Sequence, residues 1–475
     1  MQLRAPEKDG ESIVVPPLHE IGRLIRDNQA AFAPFIELRS QARADVLRLA
    51  SIYHAENGEP IPGRQSDVWF VSGHQPELFH PGVWVKNFAL QGLARSHDAV
   101  AVNLIVDNDT AKSSSLRLPN GERIAFDRYS GEQPWEERQV LEPHTFATFP
   151  ERLAQAMARW HIAPLGVKLW QHLPKTGTLG ERLAAGRRAL ERNWDCHNLE
   201  VPLGRVCDTP SFAEFVRLIF RDAPRFVTAY NAAVADYRRR HRIKSRNHPV
   251  PDLTREGDWW EMPLWSWSAG ASQRERVFVR DSVLRPTGMK LRSRALLTTL
   301  FARLCLADVF IHGLGGGLYD RLTDDIICRF FVVQPPRFVI LSATCLLPLP
   351  NSGATKQQRR DMHRRLRDLE YQPERFLNGA MAELMENRRR VLAETPSRQM
   401  FARQRELLAR LNAPLEAQRE QTRRELVELD SRLASDAVRR RRDYSLCLFP
   451  EEKLKPFLTA WLQRPDFARI MPSPS

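Results

Sequence analysis

Short apolar runs that stop at a polar or glycine-rich cluster constrain the fold of this chain more than any other feature. Each run has the length of one strand, and its cluster follows directly. The pairs of run and cluster are Asp67–Val71 with Ser72–Pro76, Val100–Val106 with Asp107–Thr110, and Asp308–Ile311 with His312–Gly317. A segment with apolar residues at helical spacing, Trp84–Ser96, separates the first two runs. This order of strand, loop, helix and strand predicts an α/β fold with a parallel sheet, and Phe338–Ala343 predicts a fourth strand.

The position of the clusters also predicts a binding site. The carboxyl ends of parallel strands lie at one edge of a sheet, and ligands of such sheets bind beyond that edge. We therefore expect the clusters to converge on one pocket.

The composition is that of a globular protein, because 43% of the 475 residues are hydrophobic and 27% are charged. No apolar run approaches the ~18 residues that a membrane span needs, and Met1–Gly10 lacks the apolar core of a signal peptide. The six cysteines are scattered without a CxxC pair, which favours reduced thiols over a disulfide frame or a zinc site. We expect a cytoplasmic protein that does not contact membranes.

Changes in amino-acid composition and pattern divide the chain into three parts. Residues 1–350 are expected to form the α/β core, with a helical insertion at about 121–290. Residues 351–443 are rich in Arg, Glu, Gln and Leu and predict a helical arm, broken at Pro373, Pro396 and Pro414. Residues 444–475 are expected to return to the core.

The arm has two further properties. Leu408, Leu411, Leu415, Leu426, Leu429 and Leu433 keep an approximate heptad pattern, which predicts an antiparallel coiled coil or a dimerisation helix. Thr355–Asp443 also carries 22 Lys/Arg against 15 Asp/Glu, about half of the net charge of +14. Nucleic-acid binding stays open but is disfavoured, because few aromatic residues are available there to stack on bases.

The first cluster offers Gly73, His74 and Gln75. Glycine after a strand lets the backbone approach a ligand, and a histidine there can hold a phosphate or transfer a proton. The alternative is a tight turn, which is the favoured interpretation for His80.

The second cluster offers Asp107 and Asp109, with Lys112 close by. Two acids at a strand end can bind a magnesium ion, a ribose or an amine. The alternative is helix capping, for which Asp, Asn and Thr are well suited.

The third cluster contains His312, Gly313, Gly315, Gly316 and Tyr319. Its glycines indicate close backbone approach to a ligand, although it lacks the GK[ST] ending of a P-loop, and a flexible turn is the alternative. Arg285–Arg294 is expected to be a basic loop, in which Arg294 could pair with an anion.

In this order, the clusters resemble those of the bacillithiol biosynthesis cysteine-adding enzymes, which are cysteine ligases. The similarity rests on Gly73-His74-Gln75 with Leu78, on Asp107-Asn108-Asp109, on Arg294, and on Gly313-Leu314-Gly315 with Tyr319. Asn108 and Gly316 depart from the family pattern, which has histidine and glutamate there. The resemblance implies a Rossmann-like core with helical insertions and a coiled-coil arm. It also implies condensation of cysteine with an amine of a sugar conjugate, glucosaminyl malate.

The sequence therefore predicts a ligase-like enzyme that joins a cysteine-like amino acid to an amine. Such a condensation is uphill in water, so we expect a nucleotide (ATP or ADP) with magnesium, and no metal held by the protein alone. His74, Asp107 and Asp109 are the expected catalytic residues. The expected binding residues are Gly73, Gln75, Arg294, His312, Gly313, Gly315, Gly316 and Tyr319. The alternatives are a nucleotidyltransferase-like enzyme with the same pocket, and a non-catalytic scaffold that uses the basic arm. A homodimer through the arm is also expected.

Overall fold

A computed structural model describes residues 3–61, 66–271, 273–287, 289–350, 352–377, 379 and 381–463. The chain divides into two compact units. Unit 1 contains the residues up to Leu347 together with those from Arg442 onward, and unit 2 is Pro348–Arg441. Of the segment expected to return to the core, residues 464–475 lie outside the described residues. The same holds for Asn351, at the expected start of the arm.

The fold is a mixed α/β structure. Its strands are β1 (Ser12–Val15), β2 (Trp69–His74), β3 (Val100–Ile105), β4 (Ser115–Arg117), β5 (Arg123–Ala125), β6 (Leu199–Pro202), β7 (Arg255–Glu256), β8 (Trp259–Trp267), β9 (Glu275–Arg280), β10 (Val283–Arg285), β11 (Lys290–Ser293), β12 (Val309–His312) and β13 (Val339–Ala343). The helices of unit 1 are α1 (Ile21–Ala31), α2 (Ile36–Glu56), α3 (Pro81–Ser96), α4 (Pro143–Ala147), α5 (Phe149–Ala158), α6 (Gly166–Gln171), α7 (Leu179–Asn193), α8 (Leu203–Cys207), α9 (Pro210–Phe220), α10 (Ala223–His241), α11 (Ala295–Phe301), α12 (Leu314–Tyr319), α13 (Arg321–Ile326) and α18 (Glu451–Thr459). The helices of unit 2 are α14 (Lys356–Tyr371), α15 (Ala382–Leu392), α16 (Arg398–Asn412) and α17 (Glu416–Arg439).

The main sheet has the order β1-β13-β12-β2-β3-β6. All of its neighbouring pairs are parallel except β1 with β13. The chain runs from β2 outward through β3 to β6, and then returns to the other side of β2 to form β12 and β13. The strand order therefore reverses between β2 and β12.

Helices cover both faces of this sheet. Alternate residues of the central strands, including Val71 and Val102, join one large core cluster with α2, α9, α10 and α11. Helix α3 packs against β2, β3 and β13. Its Trp84 and Phe88 are fully buried outside that cluster, which places α3 on the opposite face. β3 is buried along its whole length, as its largely apolar sequence requires of a strand covered on both faces, and the one polar side chain, Asn103, donates to Glu200 at 2.6 Å.

A second, antiparallel sheet has the order β10-β9-β8-β11, with β7 paired to β8. The prediction of a helical insertion at 121–290 was therefore incomplete. The prediction of a basic loop at Arg285–Arg294 was wrong for Arg285, which ends β10, and for residues 290–293, which form β11. Strand β11 was missed because its side chains alternate between the two faces, and the charged residues obscure this alternation in the sequence. Leu291 packs against the core cluster, whereas the guanidinium of Arg292 hydrogen-bonds acidic side chains.

Unit 2 is helical. α14 and α17 pack against each other in opposite directions. Ser352, just before α14, donates to the carboxylate of Asp436 near the end of α17 (2.7 Å), and Arg359 pairs with Asp430 at 2.7 Å.

The leucine stripe of unit 2 is largely buried in the single chain. Leu411, Leu415 and Leu429 are all buried. Thr422, which interrupts the stripe, is also buried, and its hydroxyl donates to the carbonyl of Gln418 at 2.8 Å.

Among the described residues, no helix combines the length and the apolar character needed to cross a membrane.

Candidate functional site

The polar clusters of the sequence meet at the carboxyl edge of the main sheet. β2 lies between β3 and β12 and runs parallel to both, so the ends of these three strands are adjacent. The reversal of strand order falls at the same place, between β2 and β12. In open α/β sheets such a reversal opens a crevice in which ligands bind.

Asp107 lies two residues beyond the end of β3. Its Oδ1 accepts a hydrogen bond from the backbone N–H of Gly204 at 2.7 Å. A Cβ at position 204 would lie 2.9 Å from Glu136 Oε2 and 3.3 Å from both carboxylate oxygens of Asp107. Glycine at this position therefore lets two carboxylates and a backbone donor come together.

The pKa of Asp107 is raised from 3.8 to about 7. The main cause is loss of water around the carboxylate, and the second is repulsion by Glu136. At neutral pH, Asp107 is therefore divided between its protonated and ionised forms, which suits a group that accepts and returns a proton.

Glu136 is a functional candidate that the sequence reasoning missed. Its segment runs beside the extension of β3, where the backbone N–H of Glu136 donates to the carbonyl of Asp107 at 2.9 Å. Arg292 holds the Glu136 carboxylate with two hydrogen bonds, at 2.7 and 3.1 Å, and it also binds Asp208 at 2.7 Å. No local motif marks this loop.

Arg294, the cation expected at the site, forms its contacts away from Asp107 and Glu136. It donates to Glu261 at 2.9 Å and to the carbonyl of Leu264 at 3.0 Å, and its guanidinium stacks on Trp265. The guanidinium that reaches Glu136 and Asp208 belongs to Arg292, which lies on β11, whereas Arg294 follows the end of β11 and is the N-cap residue of α11.

Asp109 and Gln75 do lie together, as the convergence of strand ends predicts. The Gln75 amide donates to one carboxylate oxygen of Asp109, and Arg274 donates to the other at 3.2 Å. Asp109 also accepts from the backbone N–H of Thr110 at 2.8 Å, and no helix of the described residues begins at this segment for it to cap. Asn108 is buried and donates to the carbonyl of Ser293 at 2.9 Å, so it links β3 to β11.

His74 ends β2. Its ring contacts Phe79 edge-on, and its Nδ1 lies 3.1 Å from the carbonyl of Gln75. Burial and the charge of Lys86 lower its pKa to about 3. The ring is therefore neutral at pH 7 and suits a hydrogen-bonding role better than that of a proton acceptor. Gly73, just before it, must be glycine, because a Cβ there would lie 2.9 Å from the carbonyl oxygen of Leu104.

Lys86 of α3 is the second residue that the sequence reasoning missed. Its side chain is buried, and its Nζ donates to the carbonyl of Gly73 at 3.2 Å. A Cβ at Gly313 would lie 3.9 Å from Lys86 Cδ and Cε, so the lysine stem passes between the ends of β2 and β12. The available signal was compositional, because Lys86 is the one acidic or basic residue, histidine aside, between Glu77 and Arg95.

The residues of the third cluster have separate positions. His312 is buried at the end of β12 and its Nε2 lies 2.7 Å from Asp320 Oδ2, which also binds Arg303 at 2.7 Å. Arg303 and His312 together lower the pKa of Asp320. Tyr319 is exposed and contacts Tyr237 and His248.

The glycine cluster is a short helix rather than a flexible turn. Gly313 caps α12, and Gly315 and Gly316 lie within it. A Cβ at Gly315 would meet nothing within 4 Å, whereas one at Gly316 would lie 3.0 Å from the Nδ1 of His312.

Neither a cluster of metal-ligating side chains nor similarity to a known protein assigns a further role to this site. Within the part of the chain that the structure describes, no three His, Cys, Asp or Glu side chains come together as a metal site would require. No protein-family model matches the chain, and no curated protein is significantly similar to it.

Proposed function

We propose that this protein is a ligase-like enzyme that joins a cysteine-like amino acid to an amine of a small sugar conjugate. The observation that carries the proposal is Asp107, a carboxyl group with a pKa near 7 at the edge of the sheet where parallel α/β folds bind ligands. An amine attacks a carboxyl carbon only after losing a proton, and a group with a pKa near the working pH is the best acceptor for it.

The same edge offers complementary charges for the two substrates. The Asp107–Glu136 pair favours a protonated amine, since the repulsion between the two carboxylates decreases when a cation lies beside them. As the amine attacks, its proton passes to Asp107. The amino-acid carboxylate needs prior activation by a nucleotide, whose magnesium ion would be held largely by the phosphates. Transfer of a phosphoryl or nucleotidyl group from the nucleotide to this carboxylate would form a mixed anhydride. The amine nitrogen then forms the C–N bond while the C–O bond to the phosphate breaks, and the phosphate leaves with that electron pair.

The architecture supports a Rossmann-like core for the proposed enzyme. Counted along the chain, the parallel strands β2, β3, β6, β12 and β13 have the spatial order 3-2-1-4-5, which is the order of a dinucleotide-binding fold. The antiparallel pair α14 and α17 supports an antiparallel coiled-coil arm. A homodimer through this arm would use exposed residues such as Phe401 and Val427, because Leu411 and Leu429 are already buried.

The proposal is tested by supplying ATP, magnesium, an amino acid and a glucosamine conjugate, and by detecting the amide product by mass spectrometry. We expect nucleotide consumption that requires both other substrates. Asp107→Asn keeps the shape and the acceptor oxygen for Gly204, and it should reduce turnover by roughly 10²–10⁴-fold. Asp258→Asn, at an exposed carboxylate, is the matched control.

Each other outcome would either contradict the role of Asp107 or favour a different function. Undiminished turnover in Asp107→Asn would contradict the role of Asp107. Transfer of a nucleotidyl group without amide formation would favour the nucleotidyltransferase-like alternative. Absence of any nucleotide-dependent reaction, together with salt-sensitive nucleic-acid binding, would favour the scaffold.

A further inference from the structure

Among the residues that the structure describes, buried Lys86 has no carboxylate partner of the kind that a buried cation normally has. Its side chain is 4% exposed, and its one hydrogen bond among the described residues is to the neutral carbonyl of Gly73 at 3.2 Å. No carboxylate of the described residues forms an ion pair with its Nζ. Buried charges are normally paired, because an isolated one loses much of its hydration free energy.

Two further nitrogen-bearing side chains reach the same end of α3. A Cβ at Gly82 would lie 2.6 Å from Arg442 Nη2 and 3.0 Å from His80 Cε1, so both side chains converge on this glycine. Arg442 donates to the hydroxyl of Ser342 at 2.8 Å, at the end of β13. The buried Nδ1 of His80 has no hydrogen-bond partner among the described residues.

We propose that Lys86, His80 and Arg442 form a binding site for a phosphate-type oxyanion, such as a monophosphate or pyrophosphate group of a small molecule. We call these three residues the oxyanion cluster. An oxyanion would supply the charge that Lys86 lacks and the acceptor that Nδ1 of neutral His80 can use. Arginine adds a planar fork that matches phosphate oxygens.

The ring of His80 lies within the electrostatic influence of both cations. Burial, Arg442 and Lys86 all lower the pKa of His80, to about 4, which shows that both cations act on this ring. Asp443, next to Arg442 in the chain, acts in the opposite direction. Burial lowers the pKa of Lys86 to about 8.

The glycines at the strand ends leave a route to the cluster. Gly313 contributes no side chain over the stem of Lys86, and Gly315 is exposed with open space where its Cβ would lie. Lys86 lies at the reversal of strand order between β2 and β12, whereas Arg442 lies beside the end of β13. The position of Lys86 offers a reason why glycine follows β12.

The inference does not depend on which reaction the protein catalyses, and it is tested by binding of inorganic pyrophosphate. Isothermal titration calorimetry and thermal shift should show binding to the full chain. We expect Lys86→Met to weaken binding roughly 10- to 100-fold, as loss of a charge-assisted hydrogen bond does. Arg442→Gln should weaken it as well, and Lys244→Met, at an exposed lysine, should not.

Three results would overturn the inference: no binding of pyrophosphate or phosphate by the wild type, equal binding by Lys86→Met, or tighter binding of citrate than of pyrophosphate. Asp107→Asn separates this inference from the proposed ligase, because it should retain pyrophosphate binding. Binding that needs Lys86, found in a protein without amide-forming activity, would support the oxyanion cluster and contradict the ligase.

Discussion

Replacing Lys86 with methionine should stabilise the protein at neutral pH. Burial lowers the pKa of Lys86 from 10.5 to about 8, and a difference of one in pKa between the folded and unfolded chain corresponds to about 1.4 kcal/mol. The charged side chain therefore costs about 3 kcal/mol of folding free energy. Loss of the hydrogen bond to Gly73 offsets about 1 kcal/mol of that gain. Methionine keeps a linear stem of similar length, so we expect Lys86→Met to be more stable by about 2 kcal/mol.

The pH dependence identifies the cause. Below pH 8 the lysine is protonated in both the folded and the unfolded chain, so the penalty is complete. Between about pH 8 and 10.5 the folded lysine becomes neutral while the unfolded one stays charged, so the wild type gains stability relative to the variant. Near pH 10.5 the advantage of Lys86→Met should have disappeared.

Differential scanning calorimetry at pH 7 and at pH 10 measures this difference. For a chain of 475 residues the unfolding entropy is roughly 1 kcal/mol/K, so 2 kcal/mol corresponds to a Tm increase of roughly 2 °C. Lys244→Met serves as the exposed control and should move Tm by less than about 0.5 °C. A variant that melts below the wild type at pH 7, or a difference that does not change with pH, would refute the reasoning.

Four further substitutions test neighbouring features. Asp107→Asn should be more stable than the wild type by about 1–2 kcal/mol at pH 8 and equal to it near pH 4. The reason is that the raised pKa of Asp107 lowers the free energy of unfolding of the wild type as pH rises from 3.8 to about 7. Urea unfolding at both pH values measures this difference. Asp320→Ala leaves buried Arg303 without its buried carboxylate partner and should cost about 3–5 kcal/mol in the same assay. A cost below about 1 kcal/mol would mean that the partly exposed Asp324 suffices as the remaining carboxylate partner of Arg303. Gly82→Ala places a Cβ 2.4 Å from a carbonyl oxygen of β13, so it should lower the free energy of unfolding by about 1–3 kcal/mol and weaken pyrophosphate binding. Gly315→Ala places its Cβ in open space within α12, so it should be neutral or stabilising by up to about 1 kcal/mol. Equal effects of the two alanines would contradict the assigned packing.

The sequence was sufficient for those features that depend on local pattern. The apolar runs that became β2, β3, β12 and β13 have the length and composition of buried strands, and strand ends are marked by the residues that follow them. Parallel pairing then brought Gln75 and Asp109 together without further information. Proline and the loss of apolar spacing marked the breaks between the helices of unit 2.

Only the tertiary structure decided which charged groups share the site. Glu136 reaches Asp107 because a distant loop pairs with the extension of β3, and Lys86 is isolated because the sheet and α3 exclude water around it. That Arg292 rather than Arg294 reaches Glu136 likewise depends on how β11 pairs with β8. Local sequence specifies backbone conformation through steric and hydrogen-bonding preferences. Burial and charge proximity arise instead from contacts between segments far apart in the chain, and those contacts set the pKa values of Asp107 and Lys86.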